Sequence, residues 1–217
     1  MRIERGSMVY TRGAKIKGKM NSEKKGFKGV FASIGRAMTS GESFFVTTVT
    51  GTSNDAEVGV APTVPGKIIE LSCHDSQQYY LNTGAFLACD TNMGYKMEAQ
   101  NVIKAGFSGT GGLFVMRTHG DGTMLANAFG DVLPIKVTSA HPVIIDNEHV
   151  VAWDTSLEYN IGVGGDVFGY STGEGYVDNF FGEGTVYIQT RNLQNLKQVI
   201  QVSNNSGDDK ASINVSL

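Results

Sequence analysis

The sequence predicts an all-β fold: a double-stranded β-helix or jelly-roll-like sandwich built by internal duplication, with one or two short helices added. Three observations carry that expectation. Glycine is abundant at 28 of 217 residues while proline numbers 4, a composition of many tight turns and few Pro-rich linkers. The apolar segments are short and alternate with polar residues. The chain also writes one phrase twice: "FLACDTNMGYKM" at 86–97 returns as "VVAWDTSLEYNI" at 150–161, 64 residues on.

The duplication extends beyond that phrase. Residues 66–97 lie on 130–161 without a gap, matching Gly66 to Gly130, Ala88 to Ala152, Asp90 to Asp154, Thr91 to Thr155 and Tyr95 to Tyr159. Apolar character carries over between these identities, as in Ile68-Ile69-x-Leu71 against Val132-Leu133-x-Ile135. An ungapped match in polarity marks an internal repeat. A second phrase occurs three times, as "GESFFVTTVTG", "GGLFVMRTHG" and "GEGYVDNFFGEG". The last two run into Gly-acid-Gly-Thr turns at 120–123 and 182–185, where glycine supplies the positive φ of a tight reversal. The chain therefore reads as a single domain, 1–217, of pseudo-repeats near 41–105 and 106–172. Partial units fall at 1–20 and 173–191, and a C-terminal helix and polar tail at 192–217.

The elements follow from periodicity. "KIIELS", "YYLNT", "LFVMRTH" and "TVYIQT" are short, β-branched or aromatic, and bounded by Gly or Asn/Asp, the signature of strands. Two segments depart from that pattern. In 26–38, Phe27, Val30, Phe31, Ile34 and Met38 share one face of a helix, which Gly29 and Gly35 weaken. In 192–201, Leu193, Leu196 and Ile200 share one side of a short helix.

A charged fraction of 18% with 41% hydrophobic residues excludes a disordered chain. No apolar run reaches the roughly 18 residues of a transmembrane helix, and no secretory h-region follows Met1, so the cytoplasm is the expected location. Cys73 and Cys89 are too few for a disulfide framework and read as reduced core thiols. Net charge is −3, but residues 1–40 carry ten basic and two acidic side chains, and the remainder eight and 19. Lys15, Lys17, Lys19, Lys24, Lys25, Lys28 and Arg36 form a candidate patch for an anionic partner. That partner could equally be the chain's own acidic body or a neighbouring subunit.

The phrases "GESFFVTTVTG", "PGKIIEL", "GAFLACD", "GFSGTGGLFVMRTHGDGTMLANAFG", "IDNEHVVAWDTSLEYNI" and "GEGTVYIQTR" resemble those of the altered-inheritance-of-mitochondria protein 24 family, formerly a domain of unknown function. The resemblance covers roughly residues 5–191. It implies duplicated jelly-roll-like sheets, a fold similar to the tryptophan RNA-binding attenuation protein, and homo-oligomers, trimers among them. The family has no established enzymatic activity, so the resemblance speaks to architecture and leaves function open. Two departures stand out: this chain starts almost on the "GSM" phrase, and its third turn reads "GEG" where many relatives have Gly-Pro-Gly.

The residue types favour structure over chemistry. Asp90, Thr91 and Tyr95, and their counterparts Asp154, Thr155 and Tyr159, read as strand corners. There each Asp is expected to bond its own backbone two residues on, with Thr reinforcing the turn. A two-carboxylate site would need the two Asp close together, which repeat equivalence does not supply. The four histidines contain no His-x-His pair, and adjacent residues of "CHD" (73–75) point to opposite faces of a strand, so no metal site is expected. No nucleophile elbow, phosphate loop or dinucleotide fingerprint occurs, and no cofactor is expected. Nucleic acid is disfavoured because no aromatics interleave the lysines as stacking platforms. Segment 24–38 has the composition of a peripheral contact with anionic lipid, or of a helix packed on a sister subunit. Trp153, which replaces Cys89 in the repeat, reads as core or interface. The functional expectation is a non-enzymatic, homo-oligomeric scaffold or binding module, a trimer, working through protein or membrane-surface contacts. The alternative is a small-ligand- or RNA-binding regulator using the β-helix groove.

Overall fold

A computed structural model of the chain describes residues 1–20, 45–100, 114–163, 176–193 and 195–196. In these residues the strands run, in order, β1 (Arg2–Glu4), β2 (Met8–Arg12), β3 (Ala14–Met20), β4 (Phe45–Gly51), β5 (Glu57–Val60), β6 (Ile68–Cys73), β7 (Tyr79–Asn82), β8 (Phe86–Cys89), β9 (Gly94–Ala99), β10 (Phe114–His119), β11 (Gly122–Asn127), β12 (Val132–Val137), β13 (Val143–Asp146), β14 (Val150–Asp154), β15 (Glu158–Val163), β16 (Tyr176–Phe181) and β17 (Gly184–Gln189). All their pairings are antiparallel. The all-β, sandwich-like architecture expected from the sequence is the one found. The helical segment expected at 26–38 lies outside the described residues. Of the C-terminal helical segment expected at 192–201, residues 192, 193, 195 and 196 are described, and Leu196 N donates to Asn192 O at 3.3 Å. Two one-turn 3-10 helices, Thr83–Ala85 and Asn147–His149, precede β8 and β14.

The strands form four sheets. The first has the order β3-β4-β1-β8-β11-β6, the second β12-β17-β14-β7-β10-β9, the third β13-β16-β15 and the fourth β2-β5. By sheet order the repeating unit is six strands, β6–β11 and then β12–β17, with β6–β9 returning 64 residues on, as in the sequence, and β10 and β11 returning 62 residues on. Strands β1–β5 form an earlier unit of the same kind. Strands β6, β8 and β11 join β1, β3 and β4 in the first sheet, just as β12, β14 and β17 join β7, β9 and β10 in the second. Each full sheet is thus half one unit and half the next.

A shared irregularity confirms the equivalence. Val9, Leu87 and Val151 are each skipped in the register of β2 with β5, β8 with β11, and β14 with β17. A bulge places one extra residue on its strand and twists it locally. Its recurrence aligns Tyr10 with Ala88 and Ala152, and Thr11 with Cys89 and Trp153.

The apolar faces of these sheets close three cores. Ile3, Val49 and Ala88 pack with partly buried Ala14 of β3 and with Val58 and Val60 of the fourth sheet. The middle core, between the first and second sheets, is built around Leu71, Leu81, Phe86, Met93, Met116 and Met124. The last, between the second and third sheets, holds Trp153, Phe180, Val137, Ile145, Leu157 and Val186. The central strands β8 and β14 of the shared sheets are buried on both faces, which is why β8 (FLAC) is apolar at every position and buried throughout.

Candidate functional site

The twice-written corner is the natural place to look for chemistry, and the structure assigns it a different bond from the one expected. Neither carboxylate closes an Asx-turn on its own corner. The turn itself closes through the backbone, with Met93 N donating to Asp90 O at 3.2 Å and Leu157 N to Asp154 O at 3.1 Å. The carboxylates instead reach a neighbouring hairpin. Thr123 N donates to Asp90 Oδ2 at 2.9 Å, and Thr185 N to Asp154 Oδ2 at 2.8 Å. Both threonines end the Gly-acid-Gly-Thr turns, so the two repeated phrases are one device: the corner aspartate holds the turn of the hairpin beside it. An extended corner strand lies alongside that turn, and an amide turned inward there needs an acceptor.

This contact also explains the turn glycines. A Cβ on Gly122, whose φ is +143°, would lie 3.0 Å from Asp90 Oδ2. On Gly184 it would lie 2.9 Å from Leu157 Cγ and 3.1 Å from Asp154 Cβ. Asp154 is the more enclosed of the pair. It takes a second bond, from Gln77 Nε2 at 2.8 Å. Burial pushes its carboxyl above the usual range, against the lowering effect of Thr185 and Gln77. The Thr155 amide donates to Gln78 O at 2.9 Å, while Thr91 is exposed.

The corner tyrosines belong to the cores. Tyr95 lies against Phe86, with ring centroids 5.5 Å apart. Tyr159 joins an aromatic cluster with Trp153 at 4.9 Å, Phe180 at 5.9 Å and Tyr80 at 6.2 Å. Tyr80 stacks on Trp153 at 5.5 Å, and the two sit opposite each other where β7 meets β14. Burial pushes the Tyr159 hydroxyl pKa up strongly.

A third repeated device was not anticipated from the sequence. Asn127, at the end of β11, donates from Nδ2 to the carbonyls of Gly84, Ala85 and Phe86 at 3.2–3.4 Å. Gln189, at the end of β17, donates to Glu148 O at 2.9 Å and accepts from Phe129 N at 2.9 Å. Each amide holds the 3-10 turn that leads into its neighbouring strand. The available signal was a carboxamide closing both "GTMLAN" and "GTVYIQ".

The remaining polar candidates are dispersed. Cys73 and Cys89 are free and buried. Burial pushes the Cys89 thiol up to about 11, partly offset by Arg2, so it is a poor nucleophile. His74 turns to Ser76 Oγ at 3.0 Å, away from the buried Cys73. His141 contacts Thr138 Oγ1 at 3.2 Å and His149 contacts Gln189 O at 2.7 Å. Among the described residues no three His, Cys, Asp or Glu side chains converge as a metal site would require. The most perturbed acid is Asp178 on β16, buried in the last core, with Oδ2 accepting from Asn147 Nδ2 at 2.8 Å. Burial pushes it up to about 7, Asn147 acting against this and Asp146 with it.

Of the basic patch, Lys15 and Lys17 are exposed on β3, an edge strand of the first sheet, and flank Ile16, itself exposed. Lys19 is placed on the same strand. Lys24, Lys25, Lys28 and Arg36 lie outside the described residues. Among the described residues no helix is long and apolar enough to cross a membrane.

Fold and site together define a protein of stacked β-repeats in which the recurring polar residues serve as fasteners between neighbouring hairpins. The chain belongs to the family described as mitochondrial biogenesis AIM24, whose profile matches residues 1–191. It is 43% identical over 209 residues to an uncharacterised protein of Streptococcus pyogenes serotype M6, covering 94% of this chain and 83% of that one. It is also similar to the crystal structure of a Streptococcus pyogenes protein, at 40% identity and a TM-score of 0.73, over 93% of this chain and 88% of the other.

Proposed function

We propose that the protein is a homo-oligomeric, non-enzymatic scaffold or binding module that works through its sheet surfaces. One observation carries this reading: the stack of sheets ends, on both sides, in partial sheets that expose large apolar residues. Met8, Val9 and Tyr10 do so on β2, and Ile144 and Phe181 on β13 and β16. Apolar side chains beside strand edges that are unpaired among the described residues favour association. The repeated aspartates support the same reading, since each carboxylate is engaged by the hairpin it fastens. Membrane-surface contact is the second mode this reading allows, through Lys15, Ile16 and Lys17 at the sheet edge. Light scattering coupled to size exclusion tests the assembly. An oligomer is expected, a trimer by family resemblance, and a monomer at every concentration would overturn the proposal.

A further inference from the structure

Two polar side chains of the last core, Trp153 and Asp178, are each 1% exposed. Each keeps one hydrogen-bonding atom without a partner among the described residues. In Trp153 it is the indole Nε1, which can only donate. In Asp178 it is Oδ1, the oxygen left over when Oδ2 accepts from Asn147 Nδ2. A buried polar group without a partner is costly, and in folded proteins nearly all of them find one in protein or in ordered water.

One tyrosine adjoins both side chains. Asp178 and Phe180 are two residues apart on β16 and share its inner face, and the Phe180 ring lies 5.6 Å from that of Trp153. Tyr159 sits opposite Phe180 on β15 and meets Trp153 in a T-shaped contact at 4.9 Å. Burial first, and then the charge of Asp178, push the Tyr159 hydroxyl up in pKa, so that hydroxyl lies within electrostatic reach of the carboxyl. It also feels Tyr80 and Glu98. Tyr80 Oη donates to Glu98 Oε2 at 3.3 Å, and Glu98 pairs with the partly exposed Arg117 at 3.5 Å. A line of polar groups thus connects the buried carboxyl to the surface.

The middle core shows that the fold itself does not ask for these groups. On the equivalent strands β8 and β10 it holds Cys89 in place of Trp153 and Met116 in place of Asp178, 1% and 4% exposed. Sulfur side chains pack there as apolar groups with no strong hydrogen-bonding demand. In the last core both positions are polar, and they supply one donor and one acceptor that are not bonded to each other.

We propose that the last core binds one internal water, which accepts from Trp153 Nε1 and donates to Asp178 Oδ1 beside the Tyr159 hydroxyl. The chemistry of the two atoms selects the occupant. A cation cannot accept from an indole N–H, and an anion is repelled by the carboxylate. Water accepts and donates at once, and it is small enough to sit among packed rings where polar groups converge. The line through Tyr159, Tyr80 and Glu98 gives it a route of exchange with solvent.

Trp153 is the chain's one tryptophan, so its indole reports on the site alone. In a crystal structure that resolves ordered water, one water is expected within hydrogen-bond distance of both atoms. In solution, the single indole N–H resonance should show a cross-peak to a long-lived water. Separate waters on the two atoms, no water at either, or a direct protein partner for the indole would each overturn the proposal. Asp178→Met, which installs the residue of the middle core, should abolish the cross-peak. Asp178→Asn keeps an acceptor and should retain it. A cross-peak that survives in Asp178→Met removes Asp178 from the site. Should that variant not fold, Trp153→Phe tests the bridge from the donor side. Its crystal structure should lose the water at Asp178, and a water that stays there overturns the bridge.

Discussion

Asp178→Asn probes the last core through its pH dependence. Asp178 is 1% exposed on β16, opposite Ile145, with one carboxylate oxygen bonded to Asn147 and Oδ1 without a protein partner. Burial raises its carboxyl from 3.8 to about 7. Between those values the folded protein keeps a proton that the unfolded chain has released. Stability therefore falls as pH rises through this window and levels off above the folded value. Three units at 1.36 kcal/mol each bound the whole effect at about 4 kcal/mol. Between pH 5 and 7.5 the same linkage predicts a loss of about 2–3 kcal/mol. Asparagine keeps the shape and does not titrate. Urea unfolding of both proteins at pH 5, 6, 7 and 7.5 gives the difference directly. The variant should gain on the wild type by that amount across the range, with unchanged m values. A difference independent of pH would refute the assignment of a protonated, buried carboxyl. The position is an exception within the repeat, since the matching residue of β10 is Met116, a core side chain.

The corners predict an ordered pair of effects. Asp154→Ala strands the Thr185 amide and the Gln77 carboxamide and should cost about 2–3 kcal/mol in thermal or urea unfolding. Asp90→Ala loses one bond at an exposed site and should cost less, and Gly184→Ala, whose methyl would press on Leu157 and Asp154, should destabilise the same corner. Equal costs for the two aspartates would contradict the difference in enclosure. For the membrane mode, the full chain should sediment with phosphatidylserine-containing vesicles at low salt and release at high salt. Lys15→Glu with Lys17→Glu should weaken that binding, and indifference to the charge reversal would locate any lipid contact elsewhere.

Much of the fold was legible in the chain because a repeat is a local pattern written more than once. The 64-residue period, the short β-branched and aromatic strands, and the Gly-acid-Gly-Thr turns depend on pleat and φ preferences within a few residues. They predicted all-β duplication without reference to any contact. The corner aspartates were expected to bond their own turns, and the structure gives their carboxylates other partners. Thr123 and Thr185 lie 33 and 31 residues away, and only sheet pairing brings them within reach. The same holds for Asn127 and Gln189, whose polar ends look like ordinary strand termini until the neighbouring 3-10 turn arrives.

What the sequence determined by itself is the unit: its strands, its turns and its recurrence. The tertiary structure decided how units join. Each shared sheet is half one unit and half the next, so β8 and β14 are buried on both faces while β2, built on the same plan with the same bulge, is left open. Burial is a property of what packs alongside a strand, and no local pattern records whether a neighbour is there.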